Sequence, residues 1–309
     1  YPETDDWSRT WLSLWLQDFR RDALVKLACW RVDAGYDPQI DGALVYIRVL
    51  EGARDIEYAG NYCLRWLEMS PLGVVNWLKL AVSLWSRRAF QSDLNSLITE
   101  KLKSQLVSDD FAAPPWRRTW QFLWSRLGRE HELEDLAKSY FDTIQRLSLS
   151  DGEVLLYLLR NPNNIGRFYI EAQDWLSAFP RGTLVWTDLF IAAFKYERSE
   201  TLTAVGVDWL HTQGGTTNRW RVIWDLFEPL VTAAEHTEMG FDWLFRSRVD
   251  LQSWTQVFFV IAFRMPDSWH RERLVVIGEH WLSVRHRWHR DFAEMQKVTN
   301  HLRDSIVPD

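Results

Sequence analysis

Histidine and arginine residues near the C-terminus are the side chains of this sequence that could do chemistry. His286 and His289 lie three residues apart, a spacing that can place two imidazoles on one face of a helix to hold a metal ion. No cysteine or obvious third ligand accompanies them, and the charges of Arg285, Arg287 and Arg290 disfavour a bound cation. We therefore expect a solvated helix face here, with neither a metal nor a cofactor.

The same stretch combines arginine with tryptophan. Five arginines fall within twenty residues and two tryptophans are interleaved with them: Trp269, Arg271, Arg273, Arg285, Arg287, Trp288 and Arg290. Such surfaces suit phosphate or single-stranded nucleic acid, and they also suit acidic protein partners. A charged outer helix that keeps the end of a repeat array soluble is a third interpretation. We take Arg285, Arg287, Trp288 and Arg290 as candidate partner contacts.

Motifs of the common enzyme classes are absent from the sequence. There is no phosphate-binding Gly-x4-Gly-Lys-Ser/Thr, no Gly-x-Gly-x2-Gly, no His-Glu-x2-His, no Cys-x2-Cys and no Gly-x-Ser-x-Gly. The turn Gly214-Gly215-Thr216-Thr217 could cradle an anion at a helix N-terminus. Because other parts of the sequence place a turn at the same point of a repeat, an ordinary turn is the simpler interpretation. We expect no catalytic residues in this chain.

Charge and composition narrow the class of partner. A net charge of −6 gives no general attraction for nucleic acid or anionic lipid. No apolar run approaches the ~20 residues of a membrane span. The two cysteines, Cys29 and Cys63, are expected to be buried thiols, which favours a cytoplasmic protein. The chain opens without Met, and we expect it to be a fragment whose catalytic domain, if any, lies outside it.

Tryptophan is the anomaly of the composition, with 20 in 309 residues. Four segments align on a small residue, two variable positions, Trp and Leu, and they are centred on Trp175, Trp209, Trp243 and Trp281. Looser copies, in which other residues can fill the slot, extend the series. The resulting first anchors lie 34 to 38 residues apart: Trp30, Trp66, Leu102, Tyr140, Trp175, Trp209, Trp243 and Trp281.

A second aromatic anchor follows the first by eleven residues, and Pro71, Pro180 and the pair Gly214-Gly215 lie between the two anchors in three of the units. These second anchors are Trp77, Trp186, Trp220, Trp254 and Phe292. Each unit is therefore predicted to be a helix that ends near the first anchor, a turn, and a helix that begins near the second. The sequence predicts an all-α solenoid of about eight such repeats over residues 1–309, clearest over 168–292.

The spacing also predicts what the tryptophans do. Helical stripes such as Trp7-Trp11-Trp15, Trp116-Trp120-Trp124 and Trp77-Val82-Trp85 indicate packing faces. Eighteen of the tryptophans fall on such stripes or on anchors, and Trp269 and Trp288 are the exceptions. The small residue before each first anchor should let neighbouring helices approach closely. Ser150-Asp151-Gly152-Glu153 resembles a capping box at the start of a helix.

The helix-turn-helix unit of about 34 residues resembles a tetratricopeptide (TPR) repeat in period and architecture. It is a divergent version, because the Trp-Leu pair ends a helix instead of lying early in the first one. Repeats of this kind resemble the C-terminal sensor arrays of bacterial STAND-type NTPases, including those of antiphage defence. The resemblance implies that the array binds a trigger while the catalytic parts lie elsewhere.

The first hypothesis for function is thus a protein-binding recognition or scaffold module. Its partner would be another domain of a parent protein or a foreign trigger protein. Polar residues opposite the tryptophan stripes are the candidates for binding it: Lys79, Arg118, Gln121, Asp188 and Gln256. An enzyme with a site in a groove of the array is an alternative, and an RNA-binding helical repeat is another. The RNA alternative needs matching polar positions in every unit, and Leu78, Thr187, Arg221 and Thr255 share no chemistry.

Overall fold

The computed structural model describes residues 5–17, 20–35, 42–108, 113–126, 130–179, 183–212, 219–264, 268–285, 287 and 289–306. All regular structure within these residues is helical, comprising seventeen α-helices and two short 3-10 helices, with no strand. The predicted all-α class is confirmed.

Contacts between residues divide the chain into two compact units, Tyr1–Gln145 and Arg146–Asp309. The first unit contains eight α-helices: α1 (Asp5–Leu16), α2 (Arg21–Asp33), α3 (Gly42–Gly52), α4 (Ile56–Met69), α5 (Trp77–Trp85), α6 (Gln91–Leu106), α7 (Ala113–Trp124) and α8 (Glu130–Thr143). A 3-10 turn, Arg88–Phe90, leads into α6. Within this unit α3 packs on α5, α2 on α4 and α6 on α8, in addition to contacts between successive helices.

The second unit contains nine α-helices: α9 (Asp151–Leu159), α10 (Ile165–Ala178), α11 (Leu184–Tyr196), α12 (Glu200–Thr212), α13 (Trp220–Phe227), α14 (Ala233–Arg246), α15 (Gln252–Phe263), α16 (Ser268–Val284) and α17 (Phe292–Asp304). A 3-10 turn, Pro162–Asn164, precedes α10. Here too each helix contacts its successor or the helix after that, as in α10 with α12 and α13 with α15. Local packing of this kind is typical of stacked helix pairs.

The first anchors lie near the ends of even-numbered helices and the second anchors at or near the starts of odd-numbered ones, as predicted. Trp243, for example, lies three residues before the end of α14, and Trp254 lies in the first turn of α15. Fourteen tryptophans are buried, and Trp7, Trp85 and Trp124 are half-buried. One anchor is wrong: Trp30 is 54% exposed, and Ala28, Cys29 and Val32 form the buried face of α2 instead.

The second-anchor tryptophans also cap the C-terminal end of the preceding helix. The indole Nε1 of Trp77, Trp186, Trp220 and Trp254 donates to the carbonyl of the Leu ten residues earlier, at 3.0–3.3 Å. Each acceptor lies in the last turn of its helix, where carbonyls have no partner within the helix. A tryptophan at the start of one helix thus donates a hydrogen bond to a carbonyl at the end of the preceding one.

Glycine before the first anchor allows close packing. A Cβ built on Gly206 would lie 2.5 Å from Cζ of Phe190 and 2.6 Å from Cζ of Phe227. A Cβ on Gly240 would lie 2.7 Å from Cδ1 of Ile261. The predicted close approach of neighbouring helices is confirmed at both positions.

Side-chain hydrogen bonds to backbone N–H groups cap the starts of several helices. Asp55 and Thr183 accept from the backbone N–H groups of Tyr58 and Trp186 at 2.9 and 3.1 Å. A reciprocal capping box joins Thr232 and Glu235 at α14. The capping box predicted at Ser150 is wrong, because the Ser150 side chain makes no cap bond. Asp151 turns back instead and accepts from the backbone N–H of Ser148 at 2.5 Å.

In the part of the chain that the structure describes, no helix combines the length and apolar character that crossing a membrane requires.

Candidate functional site

A groove of about 920 Å³ lies in the first unit. Its walls come from α3, α5 and α7, together with the turn that connects α4 to α5. The lining residues include Leu44, Ile47, Arg48, Glu51, Leu72, Val74, Val75, Lys79, Val82, Pro114, Pro115 and Arg118. The volume falls in the range of pockets that bind ligands or short peptide segments.

Two of the predicted contact residues meet in this groove. Lys79 lies on α5 and Arg118 on α7, and both are exposed. Among the described residues neither forms an ion pair with an acidic side chain, whereas Arg48 on α3 is bound to Glu51 at 2.6 Å. The groove therefore offers two cations that no carboxylate of the described chain neutralises.

Much of the surface that these cations share in the groove is apolar. Val75 and Val82, which are 51% and 40% exposed, line it together with Pro114 and Pro115 from the start of α7. The prediction that Val82 belongs to the packing stripe of Trp77 is wrong. Its distance of five residues from Trp77 turns it away from the core and into the groove.

The sequence positions the groove through the start of α5. Asn76, which precedes α5, adopts a left-handed conformation with φ of 63°, which Asn tolerates better than most residues. The following Trp77 is fully buried and bonded to Leu67. This combination turns the chain so that Lys79 and Val82 face outward while Leu80 and Leu84 enter the core.

Gln121, also predicted as a contact, lies one turn after Arg118 but is not among the lining residues. It is half-buried and has a partner within the protein. The neighbouring Arg117 is buried and donates to the Tyr140 hydroxyl at 3.0 Å. Only one face of α7 is therefore available to a partner.

Sequence reasoning missed the part of the groove contributed by α3. Leu44, Ile47 and Arg48 lie in a helix without tryptophan, so the anchor pattern does not mark it. The signal that could have located them is the repeat itself, because α3, α5 and α7 are the second helices of three successive predicted helix pairs.

The predicted contacts of the second unit bind neighbouring helices. Asp188 on α11 forms an ion pair with Arg219, just before α13, at 3.2 Å. Gln256 on α15 accepts from Arg221 on α13 at 2.7 Å. The structure therefore gives both residues a partner inside the protein.

Two arginines of the C-terminal basic stretch also have partners within the protein. Arg285 donates to the Val249 carbonyl at 3.0 Å, and Arg290 lies 3.0 Å from Asp291. Arg287 is exposed, and Trp288, like His286, lies outside the described residues. Near the start of α16, the side chain of Arg273 lies 3.3 Å from Glu238 and over the rings of Phe241, Phe245 and Trp269. The Trp269 side chain is 62% exposed.

His236, in the second unit, is a buried titratable group with a partner at each ring nitrogen. It stacks on Trp224 with ring centroids 4.1 Å apart, and contacts the Trp224 carbonyl through Nε2 at 3.0 Å. Its Nδ1 lies 2.7 Å from Arg264, which also binds Glu228 at 2.5 Å. Burial lowers the pKa of His236, and the charge of Arg264 acts in the same direction.

The thiols carry no sign of reactivity. Cys29 and Cys63 are both free and buried. Burial raises the pKa of Cys29 to about 11 and raises that of Cys63 as well. Thiols that stay protonated are poor nucleophiles and poor metal ligands. In the described part of the chain, no cluster of three or more His, Cys, Asp or Glu residues could hold a metal ion.

Comparisons with known proteins give no relative for this chain. No family model matches it, and neither a curated protein nor a solved structure is similar to it.

Proposed function

We propose that this chain is a non-catalytic recognition module that binds a protein partner through its row of second helices, chiefly in the groove of the first unit. The observation that carries the proposal is that Lys79 and Arg118 line one groove together with exposed apolar residues and form no ion pair with a carboxylate of the described chain. A partner segment with apolar side chains and an acidic residue would match it.

The chemistry of the groove fits a protein better than nucleic acid. Exposed valines and prolines favour burial of apolar side chains, while phosphate-dominated binding needs many cations along a track. Two uncompensated cations beside Val75, Val82, Pro114 and Pro115 suit a peptide segment held mainly by apolar contacts. In the second unit Asp188 and Gln256 are occupied by Arg219 and Arg221, so the proposal places the main contact in the first unit.

The proposal extends to architecture and role. We infer that the helix pairs form a TPR-like α-solenoid, because the anchors recur every 34 to 38 residues and each helix packs on its near neighbours within a unit. A sensor array, similar to those of STAND-type NTPases, would use such a groove to hold a trigger protein. The partner would then be foreign, or a domain of the parent protein.

A capture experiment with paired variants tests this function. The immobilised chain is exposed to cell extract, and the species that binds is identified and purified. Its affinity is then measured for wild type, Val82→Asp and Lys79→Glu/Arg118→Glu. Each change introduces a carboxylate into the groove, so we expect binding to fall at least tenfold, about 1.4 kcal/mol.

Two controls keep the result specific. Val276→Asp changes an exposed valine on α16, and Lys26→Glu reverses an exposed cation on α2; neither should weaken binding. The affinity should change little between 50 and 200 mM salt, since a partner with six or more phosphate contacts would lose about 10³-fold. Capture of nucleic acid with that steep dependence, or unchanged binding in both groove variants, would refute the proposal.

A further inference from the structure

A small polar cavity of about 280 Å³ lies in the second unit, beside the turn that precedes α15 and the residues that precede α17. Its walls include Asp250, Thr255, Trp281, His289, Arg290 and Asp291. It is separate from the row of polar contacts made by Asp188 and Gln256, and the proposed function does not use it.

The indole of Trp281 lacks the hydrogen bond that its position predicts. Trp281 is fully buried, yet its Nε1 has no acceptor. Trp175, the equivalent anchor in α10, donates from Nε1 to the Ser148 carbonyl at 2.8 Å. Ser148 lies three residues before the start of α9, and the corresponding residue before α15 is Val249.

Arg285 occupies the acceptor that Trp281 would use. Its Nη2 donates to the Val249 carbonyl at 3.0 Å, and its own buried Nε has no acceptor either. Two buried donors are therefore left without a protein acceptor: one on Trp281, which lines the cavity, and one on Arg285, whose hydrogen-bond partner Val249 lines it. Buried donors without a partner are rare in proteins and indicate a ligand or an ordered water molecule.

The charges around the cavity restrict the kind of ligand that could bind there. Asp250 is held by two hydrogen bonds from Arg248, at 3.0 and 2.6 Å. Asp291 accepts from the Thr255 hydroxyl at 2.7 Å and from Arg290 at 3.0 Å. Both carboxylates are thus matched, whereas Arg285 has no ion pair with a described carboxylate. One positive charge and two N–H donors remain.

The pKa values agree with this assignment of charge. Hydrogen bonds from Arg248 lower the pKa of Asp250. Burial alone would raise the pKa of Asp291, but hydrogen bonds from Thr255 and Arg290 outweigh it, and the pKa is lowered. The charge of Arg285 lowers the pKa of Asp250 further, as the smallest of the effects. Both aspartates are ionised at neutral pH, and each is hydrogen-bonded to another arginine.

We propose that this cavity binds a carboxylate group, with the Trp281 indole N–H and the Arg285 guanidinium as its donors. The oxygens of a carboxylate accept hydrogen bonds from both, and its charge balances Arg285. The volume suits a small organic acid or the last residue of a peptide, and it is below the usual range for larger ligands.

Titration with defined probes tests the proposal. The ¹H–¹⁵N signal of the Trp281 indole, assigned by its loss in Trp281→Phe, is followed while acetate, glutarate or neutral acetamide is added. A carboxylate acceptor should shift this signal in a saturable manner, and acetamide should not. Calorimetry then gives the affinity for glutarate in each variant.

Two variants should separate binding from folding. Trp281→Phe keeps an aromatic ring but is smaller, so it should weaken glutarate binding at least tenfold and lower the melting temperature by the cost of the lost packing alone. Trp175→Phe, the matched control, loses the same packing and also the bond to Ser148, so it should melt earlier than Trp281→Phe with unchanged glutarate affinity. Arg285→Gln should weaken binding at least tenfold, while Arg287→Gln, at an exposed neighbour, should not.

The source of the carboxylate is decided by a second pair of probes. A short peptide with a free C-terminus is compared with the same peptide bearing a C-terminal amide. Tighter binding of the free peptide than of glutarate indicates a chain terminus, and the reverse indicates a small acid. If no carboxylate gives a saturable shift, or if binding persists in Trp281→Phe and Arg285→Gln, the cavity holds only water and the proposal fails.

Discussion

At the scale of single residues, the hydrogen bonds of His236 fix its protonation. A carbonyl oxygen can only accept, so the contact with Trp224 places the proton on Nε2. A guanidinium can only donate, so Nδ1 must accept from Arg264. The buried imidazole is therefore neutral, and a second proton on Nδ1 would break the Arg264 bond and place two positive charges side by side.

This arrangement predicts a loss of stability in acid. The pKa of His236 is lower in the folded protein than its ordinary value of about 6.5 in the unfolded chain. The contribution of neutral His236 to the free energy of unfolding is complete above about pH 6.5. It declines as the pH falls through the lower pKa of the folded state. The free energy of unfolding, measured with urea between pH 7.5 and 5, should fall.

The matched comparison is His236→Gln against His280→Gln, a change at an exposed histidine. The first variant should be less stable at pH 7.5 and show a shallower decline toward pH 5. The second should follow wild type throughout. An unchanged slope in His236→Gln would show that other groups cause the acid sensitivity.

The indole N–H groups are a second residue-scale feature. Trp220→Phe keeps an aromatic ring against Trp243 but leaves the Leu210 carbonyl without its donor. We expect a loss of at least about 1–3 kcal/mol in the free energy of unfolding, the usual cost of an unsatisfied buried group, to which the smaller ring adds a loss of packing. Trp269→Phe, at an exposed ring, should cost less than about 0.5 kcal/mol. Equal losses in the two variants would contradict the capping role.

At the scale of helices, glycine contacts set the distance between neighbours. Gly206→Ala should destabilise the protein by about 1–3 kcal/mol, because its Cβ would meet Phe190 and Phe227 in a filled core. This loss should exceed the ~1 kcal/mol by which Ala favours a helix over Gly. Chemical unfolding of the purified variant measures the balance.

Gly166→Ala is the control for helix propensity. Its Cβ would lie 2.6 Å from the Tyr196 hydroxyl, at the end of a side chain that is exposed and can move. The variant should be neutral or slightly more stable than wild type. If both glycine variants behave alike, close packing at Gly206 does not limit the helix spacing.

Most of the helix pattern could be predicted from the sequence, since anchors such as Trp175 and Trp186 mark both the end of one helix and the start of the next. Trp30 could not be placed correctly, because α2 buries the small residues Ala28 and Cys29 and leaves the larger ring outside. Only part of the groove could be predicted. Lys79 and Arg118 were visible as polar positions, but their approach to each other and to Arg48 depends on tertiary packing of α3, α5 and α7.

The cavity beside Trp281 could not be predicted at all. Its sequence segment matches those of Trp209 and Trp243, whose side chains have partners within the protein. Only the competition of Arg285 for the Val249 carbonyl distinguishes it. Such competition depends on a contact between residues 36 positions apart, which spacing alone does not reveal.

At the scale of the whole molecule, packing between near neighbours predicts graded unfolding. Trp209→Ala and Trp243→Ala should each cost about 3–5 kcal/mol, the range for large buried aromatics. In Trp243→Ala, amide exchange should quicken most in α12 to α15, which contact α14 or its neighbours, and least in α9.

The control is Trp269→Ala, which removes an exposed ring and should leave exchange unchanged. Uniform loss of protection across the second unit in Trp243→Ala would mean that this unit unfolds as a single cooperative body. A stable variant with unchanged exchange would show that Trp243 is not a packing residue.

The stacked anchors have an optical consequence. Ring centroids lie 5.5 Å apart in the pair Trp186–Trp209, 4.7 Å in Trp220–Trp243 and 6.4 Å in Trp254–Trp281. Indoles this close behave as coupled chromophores, so the excitation energy of one is transferred to its neighbour before fluorescence is emitted. A molecule that quenches Trp281 should therefore dim Trp254 as well, and the intrinsic fluorescence would report events in the cavity without any added label.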